Sequence, residues 1–216
     1  MRAALIAEGS SDHGLTYVLE RLCRSLGVSE IEVESTTDLL QRYGLGSTVE
    51  AKISTLLNAD PEFDLLFVHR DADNAGLEAR QQEIETAAAR AGRPWPLVRV
   101  IPIKEMEAWL LLDEAQLRTV VGNPKGKAPL SLPKRSHVEA CRDPKARLRA
   151  ALQAATITKP GKKPSALSSA QFNRYRARLL EELDIAGPVK ELHAWQTLVA
   201  ELRVTLIEVR LCTPED

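Results

Sequence analysis

The apolar positions of this chain fall into two alternating rhythms. Residues 3–7 form a short unbroken apolar run closed by Glu8, the pattern of a strand covered on both faces. The stretch EGSSDHG follows, with Ser10, Ser11 and Asp12 as N-cap candidates. Apolar residues then recur at helical spacing, so that Leu15, Val18, Leu19, Leu22, Cys23 and Leu26 share one face and Gly27 stops the helix. IEVES predicts a second strand. A helix over 48–58 turns Val49, Ile53, Leu56 and Leu57 inward and breaks at Asp60-Pro61. Residues 64–70 read as a third strand, 76–92 as an Ala- and Glu-rich helix closed by GRPWP, and LVRVIPI as a fourth strand leading into KEMEAWLLLD. Strands and helices alternating at these intervals predict βαβ units and a mostly parallel sheet.

After about residue 115 the rhythm changes. GNPKGKAPLSLPKRS, rich in Pro, Gly and bases, reads as a loop. Helices are expected near 144–155 and 168–183, with the basic loop TKPGKKPSA between them. A last helical segment runs from about Val189 through Trp195 to Val204 or beyond, and either caps the core or forms a dimer or partner contact. The expectation is an α/β protein: a sheet flanked by helices over 1–115, and a basic loop and helical region over 116–216 packed on it. A chain of 216 residues is long enough for one substantial core.

Charge sharpens this division. The net charge is only −1, yet residues 122–178 hold fourteen Lys/Arg against two acids, leaving fifteen bases against twenty-eight acids elsewhere. A basic block on an acidic protein suggests a polyanionic partner, although a solvated Lys-rich loop has the same composition. Three scattered cysteines make neither a disulfide framework nor a zinc cluster. No window approaches the roughly 20 apolar residues of a membrane span. Acid follows the first apolar run without a small-residue cleavage site, so a cytoplasmic protein without membrane contact is expected.

Ligands of open α/β sheets bind beyond the carboxyl ends of the strands. That edge is where this chain places its acids. Glu8 ends the first strand, Asp71 and Asp73 end the third in LLFVHRDADNAG, and Glu105 and Glu107 lie just beyond the fourth. Carboxylates gathered at one edge repel one another unless a cation neutralises them, and hard oxygen donors select Mg²⁺ or Mn²⁺. Where a strand unwinds, two acids one residue apart can both turn toward one ion. The competing reading has Asp71 and Asp73 capping the next helix, whose N-terminus also favours negative charge. That reading leaves Glu8, Glu105 and Glu107 unexplained.

The segments LIAEGSSDHGLTYVLERL and DLLFVHRDADNAG resemble the Toprim domain, with a glutamate after the first strand, a Gly-containing turn and helix, then D-x-D at a later strand end. IPIKEMEAWLLLD is similar to a segment of small Toprim-like proteins related to OLD-type nucleases, which share a Pro–Glu–Ala–Trp signature. The resemblance covers about residues 3–113. It implies that Glu8 acts in proton transfer or metal binding and that Asp71 and Asp73 hold Mg²⁺. Within EAWLL it points to Glu107 as the further acid, with Glu105 the competitor; on a helix the two would face about 200° apart. It further implies nucleic acid as substrate and a place in phage defence. Trp109 is expected to pack against the sheet.

Among Toprim chemistries, hydrolysis asks least of a short chain. A topoisomerase needs a nucleophilic tyrosine on a separate domain, and Tyr17, Tyr43 and Tyr175 do not stand in such a context. Metal-assisted hydrolysis needs an activated water, an in-line phosphate and charge neutralisation. Lys125, Lys127, Lys134, Arg135, Lys159, Lys162 and Lys163 are the candidates for gripping a DNA or RNA backbone, with Phe172 and Tyr175 the candidates for base stacking. The expected function is therefore a metal-dependent nuclease; the alternative is a Toprim-like module that binds nucleic acid or a partner without catalysis. A haloacid-dehalogenase-type phosphatase would need threonine at Ala75 and its D-x-D on the first strand. The HRD of His69–Asp71 lacks the companion motifs of a kinase.

Overall fold

A computed structural model describes residues 1–9, 12–37, 48–59, 62–92, 95–159, 163–164 and 166–212. Ser10, Ser11, Tyr43, Asp60, Pro61 and Lys162 lie outside the described residues. Four strands, β1 (Arg2–Ile6), β2 (Glu32–Ser35), β3 (Leu65–His69) and β4 (Leu97–Val100), form an all-parallel sheet in the order β2-β1-β3-β4. β1 and β3 are central, and apart from Arg2 all their residues are buried, as their unbroken apolar runs require. The fourth strand stops three residues earlier than the apolar pattern suggests, just before Ile101-Pro102, where proline removes a ladder donor.

Helices α1 (Leu15–Ser25), α2 (Val49–Ala59) and α3 (Leu77–Ala91) provide the crossovers. Gly92, at φ 68°, closes α3 in the left-handed conformation that glycine adopts without a Cβ penalty. Alternate residues of the central strands serve different layers. Ala4, Ile6, Leu66 and Val68 pack with Ile53 and Leu56 of α2 and Ile84 of α3. Ala3, Leu5, Leu65 and Phe67 face the other way, toward α1 and the C-terminal half.

That half consists of α4 (Glu114–Val120), α5 (Pro144–Ala155), α6 (Ser169–Glu181) and α7 (His193–Cys212), with short 3₁₀ turns at Met106–Leu111, Arg135–His137 and Pro188–Glu191. Its Leu117, Leu148, Leu152, Phe172, Leu179, Trp195 and Leu202 belong to one apolar cluster with Leu5 and Phe67 of the sheet. Residues on both sides of position 115 thus share a core. The start of α6 is fixed by a capping box, in which Ser168 accepts from Gln171 N while the Gln171 side chain accepts from Ser168 N. Trp109 packs edge-on against Trp195, ring centres 5.2 Å apart. The last helix caps the core through Trp195, Leu198, Leu202 and Leu206, and leaves Val204 and Ile207 exposed.

One close approach matters for the site. A Cβ on Gly14 would meet Leu180 Cβ at 3.0 Å and the Ala177 carbonyl at 3.1 Å. Glycine there lets α6 press against the entry to α1, and this brings Arg176 of α6 beside Asp12.

Candidate active site

Because β1 and β3 are adjacent and parallel, with Ile6 paired to Val68, their carboxyl ends open side by side. Glu8 leaves one end; Asp71 and Asp73 leave the other. Ladder-like bonds continue beyond the strands: Arg70 N donates to Val100 O at 3.2 Å, Ala72 N to Pro102 O at 3.0 Å and Asp73 N to Lys104 O at 2.9 Å. Asp73 and Lys104 face each other with φ of 48° and 66°, and Lys104 Nζ donates back to Asp73 O at 3.1 Å. Aspartate tolerates this left-handed turn more readily than lysine does. Neither Asp71 nor Asp73 caps α3, whose N-cap is Gly76 with no side-chain cap bond.

The three acids feel one another. Burial raises the Glu8 pKa first; Arg70 opposes this, while the negative charges of Asp71 and Asp73 push it further up. Arginines answer the excess charge. Arg70 Nε lies 3.0 Å from Glu8 Oε1, and Arg80 Nη2 lies 3.6 Å from Asp73 Oδ2 while its Nε donates to the Asp71 carbonyl at 3.0 Å. Lys52 on α2 donates to the Ala7 carbonyl at 2.8 Å; burial and the neighbouring Arg70 lower its pKa. The side chains of Glu8, Asp71 and Asp73 are 31%, 17% and 48% exposed.

Behind this edge runs a buried chain of alternating charge. Glu107 Oε1 accepts from Arg176 Nε at 2.8 Å, and Arg176 Nη2 donates to Asp12 Oδ1 at 2.8 Å. Asp12 Oδ2 lies 3.4 Å from His69 Nδ1, and His69 Nε2 lies 3.3 Å from Asp71 Oδ1. These last two contacts are at ion-pair distance without the alignment of hydrogen bonds. Asp71 Oδ1 also accepts from Met106 N at 3.0 Å. Burial would lower the pKa of His69, but the carboxylates on both sides outweigh it and push it up to about 9. Burial would raise Asp12, but His69 and Arg176 hold it well below the ordinary carboxylate range.

The two shifts give a pH window. His69 keeps its proton in the fold far above its unfolded value of about 6.5, so its contribution is complete below that value and is lost as pH rises through about 9. Asp12 contributes above its ordinary value near 4 and loses that contribution as pH falls. Urea unfolding should show a stability plateau at mildly acidic pH and a decline toward pH 10, by roughly 3 kcal/mol at most. A flat profile from pH 6.5 to 10 would contradict a charged His69.

The predicted residues divide accordingly. Glu8, Asp71 and Asp73 come together at one edge. Glu107 does not join them there: it is 2% exposed and committed to Arg176. Glu105 is the extended residue before the 3₁₀ turn, and its Oε2 accepts from Lys145 N at 2.9 Å, so the first turn of α5 reaches the acidic edge. Burial raises the Glu105 pKa; the Lys145 N–H opposes this, and Glu107, Asp143 and Asp71 add to it. Lys125, Lys127, Lys134, Arg135, Lys159 and Lys163 are exposed, Arg135 lying 3.6 Å from Glu191. Phe172 is not a stacking surface: it is fully buried, with the Arg149 guanidinium 4.2 Å from its ring centre. Tyr175 is partly buried, with Arg174 at 5.4 Å. Asp12 is turned inward to Arg176 and does not cap α1, whose N-cap is Gly14.

Arg176 and Asp12 are the components that pattern reading assigned no role at the site. The available signal was position: in α6 the residues Phe172, Arg176, Leu179 and Leu180 share the buried face, and a base within an apolar stripe demands a buried acid.

Compared with protein-family models, curated proteins and solved structures, the chain matches none. The Toprim resemblance therefore rests on the sequence motifs alone. The fit of a divalent cation can be judged from the side chains. Glu8, Asp71 and Asp73 suit one in donor type, in edge and in partial exposure. Among the described residues, no three His, Cys, Asp or Glu side chains already stand together as a cage. Ligation would require Glu8 and Asp73 to turn from Arg70 and Arg80. No helix among the described residues is long and apolar enough to cross a membrane.

Proposed function

We propose that this protein is a metal-dependent nuclease that hydrolyses phosphodiester bonds of DNA or RNA, acting in the cytoplasm. The observation that carries the reading is the meeting of Glu8 with Asp71 and Asp73 at adjacent strand ends, close enough for each Asp to raise the Glu8 pKa. Glu8, Asp71 and Asp73 would hold Mg²⁺ or Mn²⁺, with Glu105 the nearest reserve. Such an ion supplies a Lewis acid for a phosphoryl oxygen and lowers the pKa of a bound water.

The chain's own residues supply the rest. Glu8 at the edge would either hold the ion or take a proton from the attacking water. Arg70 and Arg80, released from their acids, offer planar donors for phosphate oxygens. Lys145 and Arg147, exposed on the first turns of α5 beside Glu105, begin the basic surface that the lysines of 125–163 continue.

Incubation with labelled single- and double-stranded DNA and RNA tests the reading. Cleavage should appear with Mg²⁺ or Mn²⁺ and stop in EDTA; no cleavage of any of them would count against it. A second reading, a module that binds nucleic acid without cleaving it, draws on one observation: each edge acid already has an internal cationic partner. Binding undiminished in EDTA, with no turnover under any metal, would select it.

A further inference from the structure

We propose that Arg176 is a positioning residue that sets the Asp71 carboxylate from the far side of the fold, acting through Asp12 and His69. The inference rests on the reading of Asp71 as a ligand for a divalent cation. Five side chains follow one another along one path, Glu107–Arg176–Asp12–His69–Asp71, with successive contacts of 2.8, 2.8, 3.4 and 3.3 Å. The four inner members are buried, and only Asp71 reaches the edge.

The path has a direction. Arg176 is fixed at both ends, because its planar guanidinium meets Glu107 through Nε and Asp12 through Nη2. Asp12 then has Oδ1 on Arg176, while Oδ2 faces His69 Nδ1 at 3.4 Å and also accepts from Gly9 N at 3.4 Å. His69 ends β3, paired with Val100 of β4, and its two ring nitrogens face the two acids, Asp12 at 3.4 Å and Asp71 at 3.3 Å. On the far side of the ring, Asp71 Oδ1 is shared between His69 Nε2 and Met106 N. This leaves Oδ2 as the oxygen not named in those contacts. A group that orients a ligand from behind usually changes metal affinity by ten- to a hundredfold when removed.

Arg176 belongs to α6, inside the stretch that carries the excess of bases, although its own charge is consumed internally. Docking of the basic half is thereby tied to the geometry of the acidic edge. A purely structural arginine would hold α6 in place and leave the edge indifferent to its replacement, provided the fold survived.

Mn²⁺ binding, followed by the loss of the free-ion electron paramagnetic resonance signal, separates the two roles on the full chain. Wild type should bind Mn²⁺ and Asp71→Asn should lose it. Arg176→Lys, which keeps the charge but cannot bridge two carboxylates in one plane, should weaken Mn²⁺ binding about tenfold. Since a lysine there could unfold the chain, the pair Arg176→Met with Glu107→Gln removes both members of the far ion pair together and withdraws Arg176 from Asp12 Oδ1. It should show the same weakening with cooperative unfolding intact. Native Mn²⁺ affinity in a folded Arg176 variant, with Asp71→Asn still inactive in binding, would overturn the positioning role and leave the metal reading standing. Wild type that binds no Mn²⁺, or Asp71→Asn that binds it as well as wild type, would remove the metal reading and this inference with it.

Discussion

Asp71→Asn is expected to cut metal-dependent cleavage by at least about a hundredfold while the protein remains folded. The side chain is 17% exposed and its Oδ1 accepts from Met106 N at 3.0 Å, a bond that an asparagine oxygen reproduces. What the substitution removes is the charge. A ligand lost from a cation that stabilises a phosphoryl transition state forfeits several kcal/mol, and each 1.4 kcal/mol or so is a factor of ten in rate. His69 still has Asp12 on its other side, so the buried imidazolium is not abandoned. Rates measured under single-turnover conditions, with unfolding curves alongside, check both halves. Cleavage at the wild-type rate would remove Asp71 from the chemistry.

Glu107→Ala should act in the opposite manner, through stability. Glu107 is buried against Arg176, and its removal takes a buried carboxylate away from a guanidinium that also meets Asp12. Breaking a buried pair from one side typically costs about 3–5 kcal/mol. The expected result is an equivalent drop in unfolding free energy, part of it recovered when Arg176→Met and Glu107→Gln are combined, since no guanidinium is then left buried without Glu107, although Asp12 loses its contact with Arg176. Glu8→Gln should shift stability by less than about 1 kcal/mol, because the Glu8 side chain is 31% exposed and a glutamine oxygen can keep its place beside Arg70. A Glu107→Ala protein as stable as wild type would show that the buried Glu107–Arg176 pair does not contribute to stability.

Local pattern carries much of this fold. The continuous apolar runs of β1 and β3 require cover on both faces, and they have it. Parallel order follows from helical crossovers and brings Glu8 to Asp71 without any tertiary knowledge. Ser168 and Gln171 announce the start of α6 by a cap that is purely local. What pattern does not carry is the choice of partner. Glu8, Asp71 and Glu107 look alike as strand-end acids. Yet Glu107 lies within MEAWLLL, where every neighbour is buried, and it meets an arginine 69 positions away. Asp12 reads as a helix cap until α6 docks at Gly14 and presents Arg176 across 164 positions. Phe172, an aromatic in a basic helix, reads equally as a stacking platform or as core, and only the packing of α6 decides for core. Pairings of this kind depend on docking of distant helices, which neither periodicity nor composition encodes.

The central claim is that Glu8, Asp71 and Asp73 share one divalent ion. Anomalous diffraction from a crystal of the protein soaked in Mn²⁺ tests it most directly. The expected result is an ion liganded by these three carboxylates, with Arg70 and Arg80 turned away from Glu8 and Asp73. Mn²⁺ bound elsewhere, with Glu8 still held about 3.0 Å from Arg70, would contradict it.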